Sequence, residues 1–140
     1  MVNTLKVGDR ATITKTFSEV EVFQFAEIST DRNPLHLDKD FGRASIFGQR
    51  VVHGMLVASL FSGLIGMELP GSGSIYLGQS LSFKAPVSID EPVTASVEVI
   101  KIREDKPIVT LRTVCINSVG TTVIEGEAVV KVTTPNQHEN

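Results

Sequence analysis

An acid and an imidazole lie five positions apart in the segment Ser-Thr-Asp-Arg-Asn-Pro-Leu-His, residues 29–36. On a regular helix Asp31 and His36 would be separated by about 140° and would face different directions. Pro34 pushes Asn33 out of the helical region, so the chain bends and the two side chains can converge. A carboxylate beside an imidazole can hold one water molecule and move its proton. The alternative is that Asp31 caps the next turn and His36 lies on the surface.

A second candidate is the dipeptide His53-Gly54, near the start of the uncharged segment 51–67. The first N–H groups of a helix have no acceptor inside the helix, and the helix dipole favours negative charge there. Gly54 has no side chain to obstruct a ligand, so its amide could stabilise the oxygen of a polarised carbonyl. The alternative is that His53 caps the helix or is a satisfied, half-buried histidine, and that Gly54 serves packing.

Small residues recur every four positions along the same segment, at Gly54, Ala58, Ser62 and Gly66. This strip could line the floor of a narrow apolar tunnel, or it could simply allow a sheet to pack closely. The hydroxyl of Ser62 either bonds the carbonyl four residues back or faces the pocket.

These residues need a scaffold, and the hydrophobic pattern of the first half predicts helices. A short strand over residues 11–17 is followed by the pair Ser18 and Glu21, which predicts a capping box for a helix over Glu19–Ser29. Residues 51–67 contain no Asp, Glu, Lys or Arg. Their 17 residues are at the lower edge of membrane-spanning length, but polar chain flanks them, so we expect a helix buried on nearly all sides.

Alternating segments in the second half predict an antiparallel sheet with one apolar face. In the first of them, Ile75, Leu77, Leu81 and Phe83 are predicted to share that face, and Gly126 marks a bulge or a close approach in the last. One sheet wrapped around one long buried central helix is an α+β, hot-dog fold. Pairing of the exposed edge strand with a second copy predicts a homodimer. The predicted strands cover residues 75–84, 93–99, 108–117 and 124–132.

Composition limits the class of protein. The 140 residues predict one domain over 1–140, with a core at about 7–133 and a polar tail at 134–140. The net charge of −3 excludes charge-driven binding to nucleic acid or anionic membranes. The single cysteine, Cys115, excludes an intramolecular disulfide and suits a reducing cytoplasm, and the N-terminus has no apolar signal segment. The three histidines lack metal-ligand spacing, so we expect no metal.

Three motifs in order, at residues 25–38, 51–56 and 78–87, resemble the MaoC-like dehydratase family. The resemblance is strongest to the short, single-domain (R)-specific enoyl-CoA hydratases and covers about residues 7–133. It implies a homodimeric hot-dog fold and an acyl-CoA thioester substrate. The implied reaction is reversible syn addition of water to trans-2-enoyl-CoA, giving (R)-3-hydroxyacyl-CoA, with polyhydroxyalkanoate synthesis from β-oxidation intermediates as one pathway it could supply.

The resemblance also implies roles for individual residues. Asp31 and His36 match the catalytic pair of the family, and Gly54 matches the residue whose amide meets the thioester oxygen. Thr30 departs from the family, because many members have glycine at that position. The chemistry requires no metal or cofactor. Candidate substrate contacts are Asn33, Ser62, Ile65 and Val130.

Three other functions remain open at this point. A 3-hydroxyacyl-[acyl-carrier-protein] dehydratase would use the same pair in reverse, and a hot-dog thioesterase would release free thiol. A non-catalytic acyl-CoA-binding module would need the pocket but not both Asp31 and His36.

Overall fold

The computed structural model describes residues 5–133, so the predicted tail at 134–140 lies outside the described residues. None of the described helices is both long and apolar enough to cross a membrane. The helices are α1 (Glu19–Ser29), α2 (Pro34–Leu37), α3 (Lys39–Ala44) and α4 (Gly54–Met67). The strands are β1 (Arg10–Thr16), β2 (Ile75–Gln79), β3 (Ser82–Phe83), β4 (Pro92–Ile102), β5 (Ile108–Asn117) and β6 (Thr122–Lys131).

The strands form one antiparallel sheet in the order β1-β4-β5-β6-β2, and β3 also pairs with β6. Alternate side chains of β4, β5 and β6 are buried on the inner face, where helix α4 packs against β4 and β1. A sheet that is apolar on one face must bury that face against another element, and α4 is that element. The hot-dog prediction is therefore confirmed.

Several predicted elements are present where local sequence signals place them. Helix α1 covers Glu19–Ser29, and its capping box is complete: the Ser18 hydroxyl accepts from the Glu21 amide and the Glu21 carboxylate accepts from the Ser18 amide. Strand β5 runs from Ile108 to Asn117, as its alternation predicts. These boundaries are set by side chains within a few residues of each end.

The predicted long strand over residues 75–84 is wrong in two respects. It is divided into β2 and β3, and Ile75, Leu77 and Phe83 are exposed rather than buried on the inner face. The register shifts at Gly78, and the Ser80 carbonyl lies so close to Gly126 that a side chain there would meet it. The predicted close approach at Gly126 is thus confirmed, and it lies where the two strands separate.

The prediction that α4 is buried on nearly all sides is also wrong for the single chain. One face packs on the sheet through residues such as Phe61 and Leu64. Met55, Ser62 and Met67 on the opposite face are exposed. The sheet of one chain curls around only one side of the helix, so the other side has no cover within residues 5–133.

Candidate active site

A cavity of about 470 Å³ opens where the chain enters α4. Asp31 and His36 line it together with His53 and Gly54 at the helix start. Most of the remaining wall is apolar, from the loop before α4, its first turn and the chain around β3 and β6. The sequence therefore brings its two candidate groups of residues to one cavity.

Asp31 follows a helix end of unusual conformation. Thr30 caps α1 in the left-handed region, with φ 66° and ψ 6°, which turns the chain sharply before Asp31. The Asp31 carboxylate then accepts a hydrogen bond from the Asn33 amide at 3.2 Å. Such local bonds from Asp to the backbone are typical of turns, so Asp31 stabilises the turn that leads to Asn33, while Asn33 itself caps the next helix, α2.

His36 lies in the four-residue helix α2, which follows the bend predicted at Asn33 and Pro34. Pro34 begins this helix, and the Asn33 side chain caps it by accepting from the Leu35 amide at 3.0 Å. The His36 ring is buried, and its Nδ1 lies 2.7 Å from the Val51 carbonyl. A carbonyl can only accept, so Nδ1 carries a hydrogen, and in the neutral ring Nε2 is the acceptor.

The separation of the acid and the imidazole suits a shared water molecule. A carboxylate oxygen of Asp31 and a ring nitrogen of His36 lie within 4.8 Å of each other. Two hydrogen bonds of about 2.8 Å through one oxygen atom can bridge such a gap. The expected convergence of Asp31 and His36 is therefore present in the folded chain.

His53 belongs to the same cluster, which the sequence did not reveal. Its ring stacks on that of His36, with centroids 3.8 Å apart and planes inclined by 26°. Its Nε2 donates to the backbone carbonyl of Asp31 at 2.9 Å, while Nδ1 has no partner among the described residues. Burial lowers the pKa of His53 from its ordinary value. The side chain does not cap α4, so the capping alternative is wrong.

Asp31, His36 and His53 are all metal-ligand types, and one ligand atom of each lies within 4.8 Å of the others, but the stacking of the two rings does not suit a shared metal ion. The lone pair of an imidazole nitrogen lies in the ring plane, and the two rings are stacked. One nitrogen of each ring is also bonded to a backbone carbonyl. Zinc needs ligands directed at a common centre about 2 Å away, whereas a carboxylate with a neighbouring imidazole suits proton transfer.

Gly54 is the first residue of α4 and lines the cavity. A Cβ atom there would lie 2.7 Å from the ring of Phe83, so the missing side chain allows this ring to cover the helix start. The positive end of a 14-residue helix with the N–H groups of its first turn is thus part of the cavity wall.

The other four candidate substrate contacts do not line this cavity of the single chain. Asn33 caps α2, as described above, and Ser62 is on the exposed face of α4. Ile65 and Val130 are fully buried in the core between α4 and the sheet. Their role in substrate binding stays a prediction.

Comparison with known proteins agrees with this architecture. A family model described as "MaoC like domain" matches residues 3–134. An (R)-specific enoyl-CoA hydratase of Aeromonas caviae is 56% identical over 91% of this chain and 96% of that protein. A mitochondrial 3-hydroxyacyl-[acyl-carrier-protein] dehydratase of Arabidopsis thaliana is 42% identical over 89% of this chain and 75% of that protein.

A solved structure of a related protein has the same fold. The (R)-hydratase from A. caviae involved in PHA biosynthesis superposes with a TM-score of 0.92 at 55% identity, over 93% of this chain and 98% of that one. The fold and the acid–imidazole cavity define a hot-dog protein of the dehydratase class. The chain belongs to the MaoC-like family.

Proposed function

We propose that this protein is an (R)-specific enoyl-CoA hydratase, which adds water reversibly to trans-2-enoyl-CoA and forms (R)-3-hydroxyacyl-CoA. The observation that carries the proposal is the convergence of Asp31 and His36 on a cavity that also holds the start of α4. The 56% identity to the A. caviae hydratase supports the same reaction. Supply of polyhydroxyalkanoate precursors is part of the proposal, because the A. caviae (R)-hydratase of similar structure is involved in PHA biosynthesis.

In the proposed mechanism, one water molecule is held between the Asp31 carboxylate and His36 Nε2. Both atoms accept hydrogen bonds, so they take the two O–H groups of the water and leave an oxygen lone pair free to attack C3. A C3–O bond forms as Asp31 removes one proton. A C2–H bond forms on the same face with a proton returned by the pair, so the net change is addition of H₂O. Positioned proton transfer contributes about 10²–10⁴-fold.

The Gly54 amide is proposed to activate the substrate. Attack at C3 moves negative charge onto the thioester oxygen, and a backbone N–H at the positive end of α4 stabilises that charge. One such donor contributes about 3–4 kcal/mol to the barrier. The apolar wall of the cavity excludes bulk water and strengthens this interaction.

The direct test is hydration of crotonyl-, hexenoyl- and octenoyl-CoA, followed by loss of the enoyl-thioester absorbance, with chiral analysis of the product. We expect (R)-3-hydroxyacyl-CoA. An (S) product, or no loss of absorbance with any chain length, would contradict the proposal. The same series in Ile65→Ala and Val130→Ala tests whether these residues limit chain length: a larger octenoyl-to-crotonyl rate ratio supports that role.

A dehydratase acting on acyl-carrier-protein thioesters is the second candidate, because the A. thaliana relative has that name. The two functions are separated by comparing kcat/KM for the same enoyl group on CoA and on the carrier protein. A thioesterase would instead release free thiol from a saturated acyl-CoA, which a thiol reagent detects. A binding module would bind enoyl-CoA without turnover.

A homodimer is part of the proposal. The exposed face of α4 has Met55 and Met67, and the edge strand β2 exposes Ile75 and Leu77. An unpaired apolar edge favours pairing with another strand, and a second copy of this chain presents the same edge. We expect a dimer by light scattering and a shift toward monomer in Leu77→Lys, with Ser96→Lys on the outer face of the sheet as the control.

The proposed location is the reducing cytoplasm. Cys115 is a free, buried thiol in strand β5, and its burial raises its pKa to about 11. A chain with a single buried thiol does not depend on an oxidising compartment.

A further inference from the structure

His53 is a buried polar side chain to which the proposed reaction gives no role. It is only 2% exposed, and it contacts both members of the acid–imidazole pair. Its Nε2 donates to the Asp31 backbone carbonyl at 2.9 Å. Its ring stacks on the His36 ring, with centroids 3.8 Å apart. The Phe25 ring from α1 also packs against His53 in an edge-to-face arrangement, with centroids 4.9 Å apart.

We infer that His53 is a positioning residue, which holds Asp31 through the backbone and His36 through the ring face at the separation that one water molecule requires. This inference rests on the proposed hydratase function and deepens it. His53 immediately precedes α4, so it links the two reacting groups to the long helix packed on the sheet.

The local structure shows why such a link is needed. Asp31 is exposed and follows a sharp left-handed turn. His36 lies in a helix of four residues, which is too short to be rigid by itself. The bond from His36 Nδ1 to the Val51 carbonyl fixes one edge of its ring but leaves rotation about that bond open. The stacked His53 ring restricts that rotation.

The contacts of His53 also fix its protonation state. Nε2 donates to a carbonyl, so a second proton would be placed on Nδ1, a buried atom with no acceptor among the described residues. The titratable groups around it are Asp31 and His36, and Lys84 lines the same cavity, while α1 contributes the uncharged Phe25. A neutral His53 therefore stacks on His36 without adding a like charge beside it.

Three variants separate the two contacts. His53→Gln keeps an N–H donor for the Asp31 carbonyl but loses the ring, His53→Phe keeps the ring face but loses the donor, and His53→Leu loses both. We expect kcat for crotonyl-CoA to fall about 10- to 100-fold in His53→Leu, because small misplacements of reacting groups have effects of this size. KM should stay within about threefold, and Gln and Phe should each recover part of kcat.

The control is Val97→Ala, which creates a cavity in the core of β4 away from the site. It should lower the melting temperature without lowering kcat. The inference is overturned if all three His53 variants keep kcat within twofold of the wild type. It is also overturned if KM rises while kcat is unchanged, or if Gln and Phe recover no more kcat than Leu.

A spectroscopic measurement does not depend on turnover, so it remains valid if the chain hydrates no enoyl thioester. Labelling with ¹⁵N-histidine gives ring signals from the three histidines of the chain. The signals of His53 are assigned by comparison with His53→Gln. We expect neutral His53 to be the Nε2–H tautomer and to take up its second proton at lower pH than an exposed histidine. The His36 ring signals should shift more in Gln than in Phe. Titration of His53 like an exposed histidine, or unchanged His36 signals, would refute the inference.

Discussion

The sheet strands β4, β5 and β6 and the segment 30–53 are stabilised in different ways. Each of the three strands buries alternate side chains against α4, so many apolar contacts of similar size share the stabilisation. Residues 30–53 contain only two helices, of four and six residues. Their shape depends on single polar contacts, such as Asp31 with Asn33 and His36 with Val51.

Because of this difference, substitutions in the two regions should have different consequences. Loss of one apolar contact in the sheet removes stability from the whole domain but leaves the site geometry intact. Loss of one polar contact in the segment 30–53 displaces a reacting group but removes little buried area. Activity and stability should therefore respond independently to changes in the two regions.

The largest expected effect is in the segment 30–53. Asp31→Asn keeps a side-chain oxygen that can accept from the Asn33 amide, but it removes the base. We expect hydration of crotonyl-CoA to fall about 10²–10⁴-fold, with a melting temperature within about 2 °C of the wild type. Absorbance assays and thermal unfolding measure the two quantities. Near-normal turnover in Asp31→Asn would exclude Asp31 as the base and would remove the basis of the comparison.

The second largest effect is expected in the sheet, where a substitution should lower stability and leave activity unchanged. Leu111 on β5 is fully buried, and Leu111→Ala should lower the free energy of unfolding by about 2–5 kcal/mol. The kcat of the folded fraction should stay within about twofold, because Leu111 does not line the cavity. Urea unfolding gives the first value, and kinetics at low temperature give the second. A tenfold loss of kcat would show that the sheet also controls the geometry of the site.

The same contrast explains which features the sequence can predict. The ends of α1 and the strand β5 follow from local signals, namely the capping box at Ser18 and Glu21 and strict alternation. The bend that brings Asp31 to His36 follows from Asn33-Pro34. The role of His53 could not be predicted, because its contact with Asp31 joins residues 22 positions apart and depends on how the helices pack.

The exposure of one face of α4 could not be predicted from the sequence either. An apolar helix that is covered by its own sheet on every side has the same sequence pattern as one that shares its cover with a second copy. The apolar pattern therefore predicts a helix buried on nearly all sides, although the single chain leaves Met55 and Met67 exposed. The sequence predicts that these residues need cover, but it does not say which chain supplies it.

The third effect is a pH dependence of stability, because protonation of His53 in the segment 30–53 changes the stability of the whole folded chain. Burial lowers the pKa of His53 in the folded chain, so the unfolded chain binds its proton more readily. Stability from this residue is complete above the ordinary pKa of about 6.5 and is lost as the pH falls from there toward the lowered folded value. The slope from one group is at most about 1.4 kcal/mol per pH unit. Urea midpoints from pH 8 to pH 5 should show this slope, and His53→Gln should reduce it; an equal slope in both proteins would contradict this origin.

The smallest expected effect tests whether the segment 30–53 contains strain that the sheet lacks. Thr30 has φ 66°, and a β-branched residue in the left-handed region costs about 1–3 kcal/mol. Asparagine tolerates this conformation without the entropy cost of glycine in the unfolded chain. We expect Thr30→Asn to raise the free energy of unfolding by about 1 kcal/mol, and Thr30→Gly to raise it less.

Thermal unfolding and crotonyl-CoA hydration of the two Thr30 variants then separate two explanations. If stability rises and kcat is unchanged, the strain at Thr30 is incidental, because the contacts of Asp31 and His53 already define the site. If stability rises and kcat falls, the strained turn itself helps to direct Asp31, which is the pattern expected where strain is retained at a functional position. If stability does not rise in Thr30→Asn, the turn is not strained, and the segment 30–53 differs from the sheet only in its polar contacts.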